Sequence, residues 1–119
     1  MPLAPGDAKK VTIHLNDDTS AGRDFLYREI FTFLFERGVA GATLLRPDAG
    51  FGSHHQRHVQ HGDAGEGQHL PVRIEFIETP ARVDALLPEL CSLVTDGLIE
   101  AHDTIIIRSN VESAPRRSL

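Results

Sequence analysis

Two stretches of the chain alternate hydrophobic and polar residues, which predicts two strands that each bury one face. They are VTIHLN (11–16) and PVRIEFIE (71–78). The apolar positions are Val11, Ile13 and Leu15 in the first stretch and Val72, Ile74 and Phe76 in the second. The polar positions on the opposite face are Thr12, His14, Arg73 and Glu75. Because that face is half polar, it either meets water or packs in an oligomer whose buried charges are paired.

A helical period follows the first strand and predicts a helix over 23–37. Its buried face consists of Leu26, Ile30, Phe33 and Leu34. Thr19 or Ser20 is placed to cap the first turn, and Asp24 suits the positive end of the helix dipole. Gly38 follows the last turn and can adopt the left-handed conformation that ends many helices.

A second helix is predicted after the second alternating stretch, with Thr79 as its N-cap and Pro80 as its first residue. Its buried stripe consists of Val83, Leu86, Leu87, Leu90 and Val94. Cys91 lies beside this stripe and is expected to be a buried small hydrophobe. Gly97 is expected to end the helix. Pro88 should loosen one turn because proline lacks the N–H of a helical hydrogen bond.

Two shorter apolar runs complete the pattern. AGATLLRP (40–47) predicts a strand that stops at Pro47, because proline cannot donate to a sheet. The run of three isoleucines at 105–107 predicts a last strand over 104–108 that is covered on both faces.

The order of these elements is βαββαβ, which predicts an α+β, ferredoxin-like sandwich. Its sheet has four antiparallel strands, with the first and third strands in the centre and both helices on one face. The domain is expected to span residues 9–109. Residues 1–8 are expected to form a flexible N-terminal arm, and residues 110–119 a flexible C-terminal tail.

Composition limits the range of functions. The 119 residues carry a formal net charge of −5, which argues against nucleic acid or an anionic membrane surface as the main partner. The chain has no apolar stretch near the ~20 residues of a membrane span and no apolar segment of a secretory signal at its start. With a single cysteine besides, the expected location is the cytoplasm. No arrangement of nucleophile and base predicts an enzyme.

The segment 48–69 holds five glycines and five histidines and predicts one long loop, which in so small a domain is functional or disordered. Gly50 and Gly52 could form an anion-binding nest with Arg46, or simply a sharp turn beside a solvated arginine.

The histidines of this segment allow a second interpretation. In a helical conformation His54, His58 and His61 would share one face, where neutral imidazoles bind zinc or copper. Asp63 or Glu66 could complete such a site. The alternative is a polar, partly protonated loop, which could also sense pH.

Three sequence elements resemble the PII-like family known as domain of unknown function 190. They are GVAGATLLRPDAGFG (38–52) with His58 six residues later, LPVRIEF (70–76) and LLPEL (86–90). The resemblance implies a homotrimer related to PII signalling proteins, which bind adenine nucleotides between subunits and signal through a mobile loop.

By that resemblance, the ligand-binding residues are Arg46, Gly50, Gly52 and His58 at the base of the loop. The regulated partner would be a membrane transporter or an enzyme. Two other functions remain open: a metal-responsive protein that uses the loop histidines, and a structural module that docks a partner through the loop.

Overall fold

The computed structural model describes residues 3–47, 49–50, 58–59 and 70–110. In these ranges the chain forms two helices and eight strands, four of which are only two residues long. In chain order the elements are β1 (Gly6–Asn16), β2 (Ser20–Ala21), β3 (Asp24–Phe25), α1 (Leu26–Glu36), β4 (Ala42–Leu45), β5 (Ala49–Gly50), β6 (His58–Val59), β7 (Pro71–Glu78), α2 (Pro80–Leu93) and β8 (Leu98–Ile106). No helix of the described ranges is long and apolar enough to cross a membrane.

The four long strands form one sheet in the order β4-β7-β1-β8, and every pairing in it is antiparallel. Both central strands are the ones that the alternating stretches predict. Ile13 in β1 lies opposite Ile74 in β7 and Ile99 in β8. The predicted α+β, ferredoxin-like architecture is therefore confirmed.

The core lies between the sheet and the two helices. Its buried members include Val11, Ile13, Leu15, Val72, Ile74 and Phe76 from the sheet and Leu26, Ile30, Leu34, Val83, Leu86 and Leu90 from the helices. Burying each such side chain stabilises the fold by about 1.5–3 kcal/mol relative to exposure. The alternation in the sequence thus places the apolar face of β1 and β7 against α1 and α2, as predicted.

The start of α1 differs from the prediction. The helix begins at Leu26 instead of Arg23, and its N-cap is Phe25, whose side chain accepts no capping hydrogen bond. The preceding residues pair instead as the short hairpin β2–β3, and the carbonyl of Thr19 accepts a hydrogen bond from the N–H of Leu26 at 2.7 Å. The expected caps Thr19 and Ser20 were therefore wrong, because the chain before the helix is extended.

Two of the predicted signals at the helix ends are present in the structure. Gly38 follows α1 with a φ of 73°, which confirms the left-handed cap. Thr79 caps α2 by accepting a hydrogen bond from the N–H of Arg82 at 3.3 Å, also as predicted. The helix ends at Leu93, four residues before Gly97. Cys91 is exposed and not buried, because it lies beside the apolar stripe and faces away from the sheet.

The last strand was predicted wrongly in both length and burial. β8 spans Leu98–Ile106 and lies at one edge of the sheet, where β1 is its one pairing partner among the described strands. The helices cover the centre of the sheet, so Ile105 is 62% exposed and Leu98 is 55% exposed in the single chain. Pairing with this long strand also extends β1 back to Gly6, into the segment expected to be an arm.

A buried carboxylate fixes the approach to β4. Glu78, at the end of β7, is 3% exposed and accepts a hydrogen bond from the N–H of Ala40 at 2.9 Å. Arg82, one turn into α2, lies 3.8 Å from the same carboxylate. This contact anchors the turn between α1 and β4, and β4 in turn carries Arg46 to the edge of the sheet.

Candidate functional site

Asp17, the first residue after β1, contacts the point at which the 48–69 segment returns to the sheet. Its Oδ1 accepts a hydrogen bond from the N–H of Leu70 at 2.9 Å, and its own N–H donates to the Leu70 carbonyl at 2.8 Å. The Asp17 side chain is fully buried. This pair of bonds joins the end of β1 to the residue that precedes β7.

Arg46 lies at the other end of the same segment, directly after β4. Its Nη1 is 3.5 Å from Asp17 Oδ2, and its Nη2 donates a hydrogen bond to the Tyr27 hydroxyl at 3.2 Å. The guanidinium also lies over the Tyr27 ring, 5.3 Å from its centroid. Asp17, Tyr27, Arg46 and Leu70, here termed the Arg46 cluster, therefore connect both ends of the 48–69 segment to β1 and α1.

The electrostatics of the Arg46 cluster follow from its burial. A buried carboxylate is costly unless it is paired and hydrogen-bonded, and Asp17 Oδ2 accepts no hydrogen bond from any described residue. The positive charge of Arg46 is the compensating interaction. About a third of the Arg46 side chain stays exposed (34%).

Sequence reasoning selected Arg46 but missed two of its contacts in the fold. Asp17 was given no role, and Tyr27 was only one position of the predicted helix. The contact between Asp17 and Leu70 spans 53 residues of sequence, so no local pattern could reveal it. The sequence did hold one signal of this contact, an acidic residue directly at the end of a buried strand. A buried aspartate is rare unless it has a partner.

The other predicted ligand residues are only partly described. The backbones of Gly50 and His58 are cross-strand partners in the short β5–β6 ladder, so these two predicted residues lie opposite each other. Gly52 lies outside the described residues, as do His54 and His61. Within the part of the chain that the structure describes, no three potential metal ligands cluster.

A second polar cluster lies on the sheet face opposite the helices. As predicted, that face carries polar residues: Thr12 lies opposite Glu75, and His14 lies opposite Arg73. Glu75 pairs with Lys10 of β1 at 3.4 Å.

On the same face Glu100 of β8 lies between two histidines. The distance from its Oε1 is 3.3 Å to His14 Nε2 and 3.6 Å to His102 Nε2. The hydrogen bond with His14 lowers the pKa of Glu100 below its ordinary value of 4.5, and His102 lowers it further.

We expect the His14→Gln substitution to raise the pKa of Glu100 toward 4.5. Because the pKa is lowered on folding, these contacts stabilise the fold above pH 4.5, and the contribution is lost as the pH falls through the folded-state pKa. Carboxyl-detected NMR titration measures the change. His102→Gln is the matched comparison and should raise the pKa less. An unchanged Glu100 pKa in His14→Gln would contradict the assignment of the cause.

The chain is similar to known proteins in both sequence and structure. The sequence model of the family DUF190 (Uncharacterized ACR) matches residues 8–106. No curated protein matches the chain. The structure is similar to CPII, a nitrogen regulatory PII-like protein from Thiomonas intermedia K12, in its complex with ADP, AMP and bicarbonate. That match has a TM-score of 0.63 and 24% sequence identity, and it covers 86% of this chain and 90% of the CPII chain.

Two further structures of CPII from the same organism agree. The complex with ADP and bicarbonate has a TM-score of 0.58 and 23% identity, covering 86% of this chain and 90% of the other. The complex with ADP, AMP and acetate has a TM-score of 0.53 and 20% identity, covering 89% and 94%. At these identities the likeness shows a shared fold.

Proposed function

The chain belongs to the DUF190 family, and on that basis we propose that it is a PII-like regulatory protein that binds a small anionic ligand at the Arg46 cluster. An adenine nucleotide is the first candidate for the ligand. The CPII complexes contain ADP, AMP, bicarbonate or acetate, all of which are anions. The residues proposed to contact the ligand are Arg46, Gly50, Gly52 and His58.

The position of the Arg46 guanidinium is the observation that carries this proposal. Its contacts with Asp17 and Tyr27 hold it in one orientation, so little conformational entropy remains to be lost when a ligand binds. A guanidinium has five N–H donors, and two contacts with described residues leave donors for an anion. Its place at the base of the 48–69 segment would couple ligand binding to that segment, through which a transporter or an enzyme would be regulated.

The surface of the sheet supports assembly into a homotrimer. Large apolar side chains on and just after the edge strand β8 are exposed in the single chain, including Leu98, Ile105 and Ile107. The sheet face without helices carries charges that are already paired within the chain, such as Lys10 with Glu75. Burial of such a face costs less than burial of unpaired charges. Contacts between subunits across these surfaces would form a trimer in which each subunit contributes one Arg46 cluster.

Calorimetric titration of the full chain with ATP, ADP, AMP and cyclic AMP tests the nucleotide assignment. We expect a saturable isotherm with at least one of the four, and static light scattering of the same sample should give the mass of a trimer. Bicarbonate is titrated in parallel as a small anion without adenine. Absence of binding to every one of these compounds would refute the proposal.

A further inference from the structure

The charges on the sheet face opposite the helices balance, although those of the whole chain do not. Along the four described strands of the sheet, the side chains of this face that carry a full charge at neutral pH are Lys10, Arg73, Glu75 and Glu100. They are two cations and two anions, whereas the 119 residues together carry a net charge of −5. Two copies of the chain therefore repel each other least through this face.

Two of these four groups lack a partner of full opposite charge. Lys10 and Glu75 pair with each other at 3.4 Å. Arg73 is exposed on β7 and forms no ion pair with any described residue. Within the described ranges the partners of Glu100 are two imidazole groups, and imidazole carries a full positive charge only in acid. One cation and one carboxylate of the face thus remain to be compensated.

Arg73 and Glu100 lie on opposite sides of β1. The strand order places β7 on one side of β1 and β8 on the other. Arg73 lies opposite His14 of β1, and Glu100 lies opposite Thr12. Since neighbouring strands are about 4.8 Å apart, the two backbones are separated by roughly 10 Å across the sheet. The partner that either group still needs is therefore more readily supplied by another molecule than by the same chain.

Each half of the face also exposes a large apolar side chain. On the β7 half, Ile77 lies opposite Lys10 and is 37% exposed. On the β8 half, Leu98 lies opposite His14 and is 55% exposed. Each half therefore combines one exposed apolar side chain with one incompletely compensated charge, and the two charges have opposite signs. Such a combination of apolar contact and complementary charge is typical of specific protein interfaces.

We propose that the β8 half of this face packs against the β7 half of a second copy of the chain, so that Glu100 pairs with Arg73 of that copy. Burial of Arg73 without a carboxylate would be costly, and Glu100 of the neighbouring copy removes that cost. The two halves are different surfaces, so the contact is heterologous. Repeated around an axis, a heterologous contact closes into a ring, and a trimer is such a ring.

This inference rests on the proposed function only in that it takes the homotrimer from it. It adds the pair of residues that holds neighbouring subunits together and the halves of the face that meet. Ligand binding at the Arg46 cluster is not part of it.

Sedimentation equilibrium of the full chain over a range of concentrations tests the pair. Arg73→Glu and Glu100→Arg each bring like charges together between subunits. We expect each to raise the concentration at which half of the assembly dissociates by roughly tenfold or more. The double variant Arg73→Glu/Glu100→Arg restores opposite charges in reversed order. It should return that concentration to within about threefold of wild type. Circular dichroism confirms that each variant is folded.

Arg37→Glu is the matched control for the charge reversal. Arg37 is half-exposed and pairs with Glu89 of α2, so it lies with the helices on the other side of the sheet. Its reversal should leave the dissociation of the assembly within about twofold of wild type. If Arg73→Glu and Glu100→Arg dissociate as this control does, or if the double variant is no stronger than the single ones, the pair is overturned and a trimer held by other contacts stands.

The mass of the wild-type assembly separates the pair from the trimer. A dimer whose dissociation responds to the charge reversals and recovers in the double variant would support the pair and refute the trimer. A wild-type chain that stays monomeric at every concentration would overturn the pair, while calorimetry decides the ligand site at the Arg46 cluster independently.

Discussion

Replacing Asp17 with alanine is expected to lower the free energy of unfolding by about 3 kcal/mol. The substitution leaves the buried N–H of Leu70 without its acceptor and removes the carboxylate that faces Arg46. Both ends of the 48–69 segment lose their common anchor. Urea unfolding at one fixed protein concentration measures the change, since the stability of an oligomer depends on concentration.

Asp17→Asn is the matched variant for this prediction. Its side-chain oxygen can still accept the hydrogen bond from Leu70, so only the charge interaction with Arg46 is lost. We expect a loss of about 1 kcal/mol. A stability of Asp17→Ala within about 0.5 kcal/mol of wild type would show that Asp17 does not anchor the segment.

Gly97→Ala is expected to lower the free energy of unfolding by about 2–3 kcal/mol. Gly97 lies between α2 and β8, and a Cβ atom there would lie 2.5 Å from the carbonyl oxygen of His14 and 2.7 Å from Leu15 Cδ2. The His14 carbonyl belongs to the backbone of a central strand, so it cannot move aside as a flexible side chain can. Thermal or urea unfolding measures the loss.

Gly41→Ala is the control for Gly97→Ala. A Cβ atom at Gly41 would meet no described atom within 4 Å, and its φ lies outside the left-handed region that favours glycine. Alanine there should be neutral or stabilise the fold by about 0.5 kcal/mol, because it restricts the unfolded chain. Equal stabilities of the two alanine variants would contradict the close approach at Gly97.

The central part of the fold could be predicted because its patterns are local. β1 and β7 each bury one face against the helices, so a period of two in the sequence predicts where they lie and which face is buried. The extension of β1 back to Gly6 is the exception, because it depends on pairing with β8. The cap of α2 was equally readable, since Thr79 and Pro80 act on the backbone only a few residues away. In each case the residues that set the structure are close together in sequence.

The parts that were wrong depend on distant contacts. β8 ends within a run of three isoleucines (105–107), a pattern typical of a strand buried on both faces, but it lies at the edge of the sheet. The edge position follows from the topology and not from the strand's own sequence. Likewise the start of α1 is set by the β2–β3 hairpin, whose pairing overrides the capping preference of Thr19 and Ser20.

The candidate site likewise combines a local sequence signal with contacts that depend on the fold. Arg46 was identified because it ends a strand beside a glycine-rich segment, which is a local signal. Asp17 acquires its role only when β1, α1 and β4 come together around Tyr27. A carboxylate in a turn is common, and only the folded structure shows that it meets Arg46.

Calorimetric titration of AMP into the wild-type chain and Arg46→Lys tests the central claim most directly. Lysine keeps a positive charge beside Asp17, so the variant should fold, but it cannot bind an anion through a planar fork. We expect Arg46→Lys to bind AMP roughly tenfold more weakly than wild type. The control is Arg37, which follows the last residue of α1 and pairs with Glu89, and Arg37→Lys should bind AMP as wild type does. Equal affinity of Arg46→Lys and wild type, or no binding of AMP to either, would contradict a ligand site at the Arg46 cluster.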